Sequence, residues 1–245
     1  MANHNDAPRP VGGWPRRSFL GTLDAPDRAR LLKLGTSRQI AAGETLIMEG
    51  TTEPREVFVL LQGCAKVTSA TDGGDTVLLS IRADGDLVGE LAVLDDCPRL
   101  ARVTTIGPCV VRRIGQPEFL EFLAASPGAF LAVSRIVSAR LRNATWHRVE
   151  YGGSSVPVRI ARMLMMLARE HGRPAAEGTL ITLPLTHPDM AGLVGAKEPT
   201  VQKALASLKH RKVIDKGYRE IVIRDWPALH TAAGITEIPP EYGID

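Results

Sequence analysis

The feature that most constrains the fold of this chain is a pair of predicted helices, one before and one after Gly195. Thr186 is a favourable N-cap residue, and apolar residues at helical spacing follow it as far as Gly195, where we expect the first helix to end. Pro199 is tolerated only in the first turn of a helix, so a second helix is predicted to begin at residue 197 or 198 and to end near residue 210. The segment therefore predicts two short helices joined by a tight turn.

A β-hairpin is predicted directly after these helices. Residues 213–217 lead through an Asp-Lys-Gly sequence into residues 218–224, which alternate between apolar and polar side chains. Two helices followed by a hairpin make a winged helix-turn-helix, whose second helix would enter the major groove of DNA. The alternative is an antiparallel helix pair with a surface hairpin, in which the charged residues are merely solvated.

Positive charge is concentrated in the same part of the chain. Residues 153–226 contain 12 Lys or Arg and 7 Asp or Glu, and residues 126–152 contain 4 and 1. Residues 1–125 have a net charge of −2, and residues 227–245 have one of −3. Because DNA binding requires cations that neutralise phosphates, this distribution supports the DNA-binding interpretation.

The first half of the chain predicts an antiparallel β-structure. Between residues 37 and 113, short runs rich in Val, Ile, Leu and Thr alternate with turn residues. The predicted strands are 45–48, 57–61, 64–70, 76–81, 102–106 and 109–114. Many short strands at near-regular spacing are typical of a β-sandwich or barrel, here of jelly-roll type. A short helical segment is predicted over residues 18–34, capped by Asp24.

A long helix is predicted to follow the β-structure. Pro127 opens it, and apolar or small residues recur along it in steps of three and four. The residues of this stripe are Val133, Val137, Leu141, Ala144 and Tyr151. This is coiled-coil spacing, so we expect the stripe to pair with the same helix of a second copy, which would place two recognition helices about one DNA turn apart. Alternatively, part of this stripe could pack on the β-barrel of the same chain.

The composition of residues 152–154, Gly-Gly-Ser, indicates a hinge, and we place the domain boundary there. A helix over residues 156–171 is predicted to open the second domain. The expected divisions are a disordered arm over 1–17, a barrel domain over 18–125, a dimerisation helix with its hinge over 126–152, a winged helix-turn-helix domain over 153–226 and a tail over 227–245.

The chain offers no pattern of metal-binding or catalytic residues. Cys64, Cys97 and Cys109 show no C-x-x-C spacing, so we expect neither a disulfide framework nor a zinc or iron–sulfur site. The histidines form no local metal motif, and the sequence has no nucleophile elbow or Walker loop, so we expect no enzyme activity and no obligatory cofactor. No apolar run approaches the ~18 residues that would span a membrane, and a cytoplasmic location is expected.

A second informative segment, here called the cassette, covers residues 84–99. Within it Gly89 precedes the acidic Glu90, and Arg99 follows nine residues later. Backbone N–H groups and a guanidinium in such a site would hold a phosphate, while the carboxylate would accept hydrogen bonds from ribose hydroxyls. Taken alone, the same residues also fit a turn with a surface ion pair.

The combination of these features resembles the cyclic-AMP receptor protein/FNR (Crp/Fnr) family of bacterial transcription regulators over about residues 19–225. The matching residues are the barrel glycines Gly43, Gly50, Gly63 and Gly85, the motif Gly89-Glu90-Leu91 with Pro98-Arg99, Ala139-Arg140-Leu141, Arg159-Ile160-Ala161 and residues 186–205. The resemblance implies an α+β fold with an N-terminal cyclic-nucleotide-binding-type β jelly-roll barrel, a long dimerisation helix and a C-terminal winged helix-turn-helix. It also implies a homodimer in which an effector in the barrel touches the long helix and reorients the DNA-binding domains.

The resemblance also assigns an effector site. The candidate effector-binding residues are Gly89, Glu90, Leu91, Arg99, Leu100, Ala144 and Thr145. Glu90 would bind the ribose, and Arg99 with nearby backbone N–H groups would bind the cyclic phosphate. Ala144 and Thr145 would lie where the long helix reaches the base. The family's oxygen-sensing and haem-binding branches do not fit, because no cysteine precedes Cys64 and the only histidine before His147 is in the arm.

Three positions depart from the family's effector site. Leu100 stands in place of the small hydroxyl residue that usually follows the arginine, Arg102 where an apolar residue or threonine is common, and Ala144 in place of a polar residue that contacts the base. Each lost hydrogen bond to a charged or polar ligand costs about 1.5–3 kcal/mol, or one to two decades of affinity. We therefore expect cyclic AMP as the first-choice effector, bound with reduced affinity. The alternatives are a different effector or no effector.

The predicted recognition helix departs from the family's usual Ser-Arg-Glu-Thr-Val. Glu198 replaces the arginine that reads guanine, and Pro199 replaces the acid that reads cytosine, so the operator should differ from the family's best-known half-site. Base contacts are expected from Gln202 to adenine and from Lys203 to guanine. The candidate DNA-binding residues are Thr186, Lys197, Glu198, Thr200, Gln202, Lys203, Lys216 and Arg219, among which Thr186, Lys197, Thr200, Lys216 and Arg219 suit phosphates.

The expected partners are a double-stranded DNA operator, a second copy of the chain and RNA polymerase, and no membrane. A regulator that is active without a ligand, with a vestigial cassette, is an alternative with the same fold. A barrel that regulates an attached enzyme or channel is disfavoured, because the sequence contains no catalytic domain or membrane span.

Overall fold

The computed structural model describes residues 13–70, 76–151, 153–217 and 220–235, without the side chains of residues 146–151. The chain forms two compact units, Met1–Arg142 and Asn143–Asp245. The division falls inside the long helix, whereas the sequence places the domain boundary at the glycines that follow this helix. No single helix of the described residues is long and apolar enough to cross a membrane, and only a pair bent by 113°, 116–125 with 127–145, reaches that length together.

The described residues of the N-terminal unit form two four-stranded antiparallel sheets. Its strands are β1 (Thr36–Ile40), β2 (Thr45–Ile47), β3 (Glu56–Gln62), β4 (Ala65–Ala70), β5 (Thr76–Arg82), β6 (Leu87–Val88), β7 (Arg102–Thr105) and β8 (Cys109–Gly115). The strand orders are β1-β8-β3-β6 and β2-β7-β4-β5. This is the predicted jelly roll, with all six predicted strands present. The sequence signal missed β1, whose side chains are mostly exposed, and β6, which has two residues.

Alternation along β3 explains how this unit makes two cores. Phe58 and Leu60 lie on one face of the strand and pack with residues of the opposite sheet, including Val103 of β7. Val57 and Val59, on the other face, pack against the helices of the unit. Because successive side chains of a strand point to opposite faces, a strand that is buried on both sides is apolar at nearly every position.

In the described part of the N-terminal unit, five helices pack on the sheet that contains β3 or lead away from it to the C-terminal unit. They are α1 (Phe19–Thr22), α2 (Ala25–Leu31), α3 (Glu90–Leu94), α4 (Gln116–Ala125) and α5 (Pro127–Tyr151). Asp24 caps α2 as predicted, by accepting a hydrogen bond from the backbone N of Asp27 at 2.8 Å. Of the predicted disordered arm, residues 13–17 are described, and the Trp14 indole packs on the core and donates to the carbonyl oxygen of Leu61 at 3.4 Å. The predicted disorder therefore does not extend to Trp14.

The apolar stripe on α5 differs from the one that the sequence predicted. Val133 is buried in the unit's own core, as the alternative reading of the stripe allowed. Leu141, which was predicted, and Phe130, which was not, are exposed at 68% and 56%, with the half-buried Val137 of the predicted stripe between them. Periodicity alone did not distinguish these adjacent rows, because both recur in steps of three and four. The side chain of Tyr151 lies outside the described set.

Among its described residues, the C-terminal unit packs three helices and a four-stranded sheet around a fourth helix, α6. Its elements are α6 (Val156–His171), β9 (Arg173–Ala175), β10 (Gly178–Ile181), α7 (His187–Val194), α8 (Glu198–His210), β11 (Ile214–Gly217), β12 (Glu220–Ile223) and α9 (Trp226–Ala232). The sheet has the order β11-β12-β10-β9, all antiparallel. The predicted hairpin is β11 with β12, whereas β9 and β10 were not predicted.

The two helices that constrain the chain most are present as predicted. The Thr186 side chain and Asp189 form a capping box at the start of α7, and Gly195 ends this helix in the left-handed conformation at φ 58°. Lys197 is the N-cap of α8, and Pro199 lies in the first turn of that helix. The predicted inner face of α8, Val201, Leu205 and Leu208, is buried.

The beginning of the predicted C-terminal tail is part of the folded unit. Asp225 caps α9 by accepting a hydrogen bond from the backbone N of Ala228 at 2.8 Å, and Leu229 is fully buried. The Arg162 side chain of α6 donates from Nε to the carbonyl oxygen of Ala233 at 2.9 Å. These contacts extend the C-terminal unit beyond the boundary that the sequence indicated at residue 226.

Candidate functional site

Gly89 begins the cassette's short helix in a conformation that requires glycine. It is the N-cap of α3 at φ 86°, directly after β6. A Cβ atom on this residue would lie 2.8 Å from Nη1 of Arg99 and 2.9 Å from Cδ1 of Ile47. The backbone therefore turns sharply at the point where the sequence predicted a phosphate-binding loop, and Arg99 lies close against it.

The Arg99 side chain is almost completely buried, at 5% exposure, and is held by backbone carbonyl groups. Nη1 donates to the carbonyl oxygen of Gly89 at 2.8 Å, and Nη2 donates to those of Pro54 and Glu56, both at 2.8 Å. Burial lowers the pKa of this guanidinium, while the charges of Glu56 and Glu90 oppose the shift. A guanidinium has five N–H groups, so two remain for the predicted bond to a phosphate.

The Glu90 carboxylate, predicted to bind a ribose, is paired within the chain. Glu90 is 2% exposed, and Nη1 of Arg140 on α5 lies 2.5 Å from its Oε1. Nη2 of Arg140 donates to the carbonyl oxygen of Leu87 at 2.6 Å. A buried carboxylate needs such a charge-assisted partner, so Arg140 stabilises the cassette and connects it to the long helix.

The remaining candidate effector residues lie around this pair or along α5. Leu91 is half-buried in the first turn of α3, whereas Leu100 is 70% exposed. Arg102 is exposed at the start of β7. Ala144 and Thr145 are exposed on α5, in the part of that helix that belongs to the C-terminal unit. The N-terminal unit therefore brings together Gly89, Glu90, Leu91 and Arg99, and adds Arg140.

The predicted DNA-contacting face of α8 is exposed. Lys197, Thr200, Gln202 and Lys203 all face solvent, and Glu198 is partly exposed at the first position of the helix. Lys203 lies opposite the buried face of α8, and the exposed Thr200 and Gln202 lie on either side of Lys203, as a recognition helix requires. Arg219, a predicted phosphate contact, lies outside the described residues.

A polar cluster joins the start of α8 to the wing strand β11. Oε1 of Glu198 accepts a hydrogen bond from Nε2 of Gln202 at 2.9 Å and lies 3.9 Å from Nδ1 of His187. The other ring nitrogen of His187 is 2.5 Å from Nζ of Lys216. Burial lowers the pKa of Lys216, and the nearby charge of Lys209 adds to the shift. The half-buried Lys216 side chain is thus held beside His187 of α7.

The Thr186 hydroxyl, a predicted phosphate contact, already forms hydrogen bonds within α7. Its Oγ1 accepts a hydrogen bond from the backbone N of Asp189 at 3.2 Å and donates to Oδ2 of Asp189 at 2.6 Å. The hydroxyl proton is therefore used inside the first turn of α7. A phosphate contact through this proton would replace the bond to Asp189.

Metal ligands do not converge in the part of the chain that the structure describes. No group of three or more His, Cys, Asp or Glu side chains is placed there to hold a metal ion. Cys64 and Cys109 are buried and Cys97 is exposed, and these three cysteines are not joined in disulfides. Burial raises the pKa of Cys109, which disfavours the reactive thiolate form.

Comparison with known proteins agrees with both parts of this geometry. A cyclic nucleotide-binding domain family matches residues 37–126, and a Crp-like helix-turn-helix domain family matches residues 158–232. The CRP-like cAMP-activated global transcriptional regulator of Mycobacterium tuberculosis is 30% identical over 183 residues, which cover 75% of this chain and 81% of that protein. The chain belongs to the Crp/Fnr family of transcription regulators. It is therefore a DNA-binding protein with a cyclic nucleotide-binding domain.

A second curated relative and two solved structures resemble the chain at lower sequence identity. The global nitrogen regulator of a Nostoc species is 22% identical, over 74% of this chain and 81% of that protein. The structure of FixK2 from Bradyrhizobium japonicum has a TM-score of 0.69 at 21% identity, covering 81% of this chain and 97% of that one. A CooA mutant from Carboxydothermus hydrogenoformans has a TM-score of 0.71 at 17% identity, covering 90% and 97%. The two structural likenesses show that this chain shares its fold with these proteins.

Sequence reasoning missed two residues that organise these sites. Arg140 appeared only as part of a matching motif, although it lies four residues before Ala144 and so on the same helical face, a signal that could have identified it. No sequence motif marks His187 as important. Its role depends on contacts with Glu198 of α8 and Lys216 of β11, which only the folded chain brings together.

Proposed function

We propose that this Crp/Fnr regulator is a homodimer that binds specific DNA operators under the control of a small effector, with a cyclic nucleotide as first choice. It works in the cytoplasm at its DNA operators, together with RNA polymerase. We propose no catalytic activity and no obligatory cofactor.

The ion pair of Glu90 with Arg140 carries this proposal. It joins the cassette, where the sequence predicts the effector, directly to α5. A ligand that reaches Glu90 changes the electrostatic environment of Arg140, because the carboxylate is that guanidinium's closest partner at 2.5 Å. α5 continues into the C-terminal unit, so the chain has a covalent route from the cassette to the DNA-binding part.

The exposed row on α5 supports dimerisation. Phe130, Val137 and Leu141 are spaced by seven and four residues, which is coiled-coil spacing. Two of them are large apolar side chains left mostly exposed in the isolated chain. A second α5 in the same orientation would bury this row, and two-fold symmetry would pair the two α8 helices with the halves of a palindromic operator.

A cyclic nucleotide is favoured by the cyclic nucleotide-binding domain match and by the relative named as cAMP-activated. The exposed Leu100 lowers the expected affinity, because it offers no hydroxyl to the phosphate. A second candidate function is a regulator that needs no ligand. It is favoured by Arg140, which satisfies the Glu90 carboxylate without a ribose.

Calorimetric titration of the full chain with cyclic AMP and with cyclic GMP tests the effector. A substitution that gains affinity is preferable to Arg99→Ala, because Arg99 holds three backbone carbonyls and its loss would disturb the fold. Leu100→Thr restores the missing hydroxyl at an exposed position and should strengthen cyclic-nucleotide binding by about tenfold. Leu94→Thr, at an exposed leucine within the cassette, is the matched control and should have no such effect.

Two outcomes separate the candidate functions. Saturable binding that Leu100→Thr strengthens, together with a ligand-dependent rise in DNA affinity, supports the cyclic-nucleotide switch. No heat at millimolar ligand for either protein, with DNA binding intact in the ligand's absence, supports the regulator that needs no ligand.

A further inference from the structure

We propose that Glu198 reads a cytosine in each half of the operator by accepting a hydrogen bond from the cytosine N4 amino group. This inference rests on the proposed sequence-specific DNA binding and adds a base and a residue to it. In this chain Pro199 occupies the position of the family's usual acidic residue. The carboxylate that would read the base therefore lies one position earlier, at Glu198.

The position of Glu198 suits contact with a base edge. It is the first residue of α8, directly after the N-cap Lys197, and its side chain is 44% exposed. The N-terminal residues of a recognition helix are the ones that contact base edges in the major groove. Glu198 therefore lies where a side chain of a docked helix is expected to reach the bases.

The neighbours of Glu198 orient its carboxylate without neutralising it. Both Gln202 and His187 approach the same oxygen, Oε1, at 2.9 and 3.9 Å. Among the described residues, Oε2 accepts no hydrogen bond, and no Lys or Arg side chain lies within ion-pair distance of Glu198. The hydrogen bond from Gln202, one helical turn away, holds the carboxylate while one oxygen stays available to a donor on DNA.

The chemistry of a carboxylate selects cytosine among the four bases. A carboxylate only accepts hydrogen bonds, and guanine and thymine present oxygen acceptors in the major groove. Adenine presents an N6 amino donor beside the N7 acceptor, which repels the second carboxylate oxygen. Cytosine presents the N4 donor with no acceptor on its major-groove edge, so it is the base that Glu198 favours.

The proposal is tested by selection of binding sites from random double-stranded DNA with the full chain. Three variants are compared with the wild type: Glu198→Ala, Glu198→Arg and the control Glu121→Ala. Glu121 is an exposed residue of α4 in the N-terminal unit, and its loss changes the net charge by the same amount as the loss of Glu198. The control therefore accounts for the sequence-independent gain in affinity that follows from removing a negative charge.

The wild type and Glu121→Ala should select a motif with cytosine at one symmetric position of each half-site. Glu198→Ala should lose the preference at that position alone, and competition with single-base variants of the site should show discrimination falling by about tenfold. Glu198→Arg should change the preferred base at that position to guanine, because an arginine binds guanine O6 and N7.

An unchanged motif with unchanged discrimination in Glu198→Ala would overturn the proposal and leave sequence-specific binding by other residues intact. Selection of no motif by the wild type, with DNA binding of equal strength to all sequences, would overturn the proposed specificity itself and the reading by Glu198 with it. Thermal unfolding of each variant shows that an altered motif does not come from a damaged fold.

Discussion

The guanidinium of Arg140 lies 2.5 Å from the carboxylate of Glu90, and this pair joins the long helix to the first residue of α3. Arg140→Met keeps the apolar stem and removes the charge, which leaves the Glu90 carboxylate buried without a counter-ion. We expect the free energy of unfolding of the N-terminal unit to fall by about 3 kcal/mol, as measured by urea denaturation. Adding Glu90→Gln should recover part of this loss, and strictly additive effects of the two changes would contradict the coupling.

Gly89→Ala should destabilise the cassette by about 1–3 kcal/mol. The new Cβ would clash with Arg99 and Ile47, and the residue would have to keep a positive φ. Gly107→Ala is the matched control, since a Cβ there meets nothing within 4 Å, and its effect should stay within about 0.5 kcal/mol. Thermal unfolding of both variants measures the difference, and equal effects would exclude the strained turn.

Self-association should depend on the exposed row of α5. Phe130→Glu and Leu141→Glu should each raise the dimer dissociation constant by about tenfold or more, because a charge would be buried at the interface. Leu120→Glu, at an exposed leucine of α4, is the control. Sedimentation velocity over a range of concentrations measures the effect. A dimer that resists both α5 substitutions would place the interface elsewhere.

Lys203 and Lys216 should contribute differently to DNA binding. Lys203→Ala removes a predicted base contact on the exposed face of α8 and should cost about 1–3 kcal/mol on the selected operator, with relaxed discrimination at one base position. Lys216→Ala removes a predicted phosphate contact and should weaken binding to all sequences alike, with a shallower salt dependence. Fluorescence anisotropy with operator and random duplexes measures both, and equal losses on the two duplexes for Lys203→Ala would refute its assignment.

His230 should make the C-terminal unit less stable in mild acid. Its Nε2 is buried without a hydrogen-bond partner among the described residues, and burial lowers the pKa of this imidazole. The unfolded chain therefore binds a proton more readily, so the stability that His230 contributes is present above about pH 6.5 and decreases as the pH falls towards the folded-state pKa. His230→Gln should flatten the dependence of unfolding free energy on pH between pH 7.5 and 5. An unchanged slope would contradict this expectation.

The helix-turn-helix was predictable because its signals are local. Thr186, Gly195 and Pro199 each act within one helical turn, and the structure places the ends of α7 and α8 where these residues indicate. The six predicted strands likewise follow from short apolar runs between turns. Strand β1 escaped prediction because its residues are mostly exposed, and only its pairing with β8 makes it a strand.

The candidate sites were predictable in their residue types but not in their contacts. The motif around Gly89 was recognised from the sequence, whereas the bonds of Arg99 to three carbonyls come from segments brought together by the fold. Helical periodicity predicted a stripe on α5, but Val133 lies in the core and Phe130 outside it. Which row of side chains on a helix becomes buried depends on the part of the protein against which the helix packs. The spacing of apolar residues along the sequence does not contain this information.

The sequence by itself determined the helix-turn-helix with its hairpin, the six predicted strands and the buried face of α8, because caps, glycines, prolines and apolar spacing act over a few residues. Only the tertiary structure decided the partners of the charged groups. Glu90 and Arg140 are 50 residues apart in the chain, and they meet because the core of the N-terminal unit holds α3 and α5 in place. Burial then makes the pairing necessary, because a carboxylate removed from water requires a partner that the local sequence does not supply.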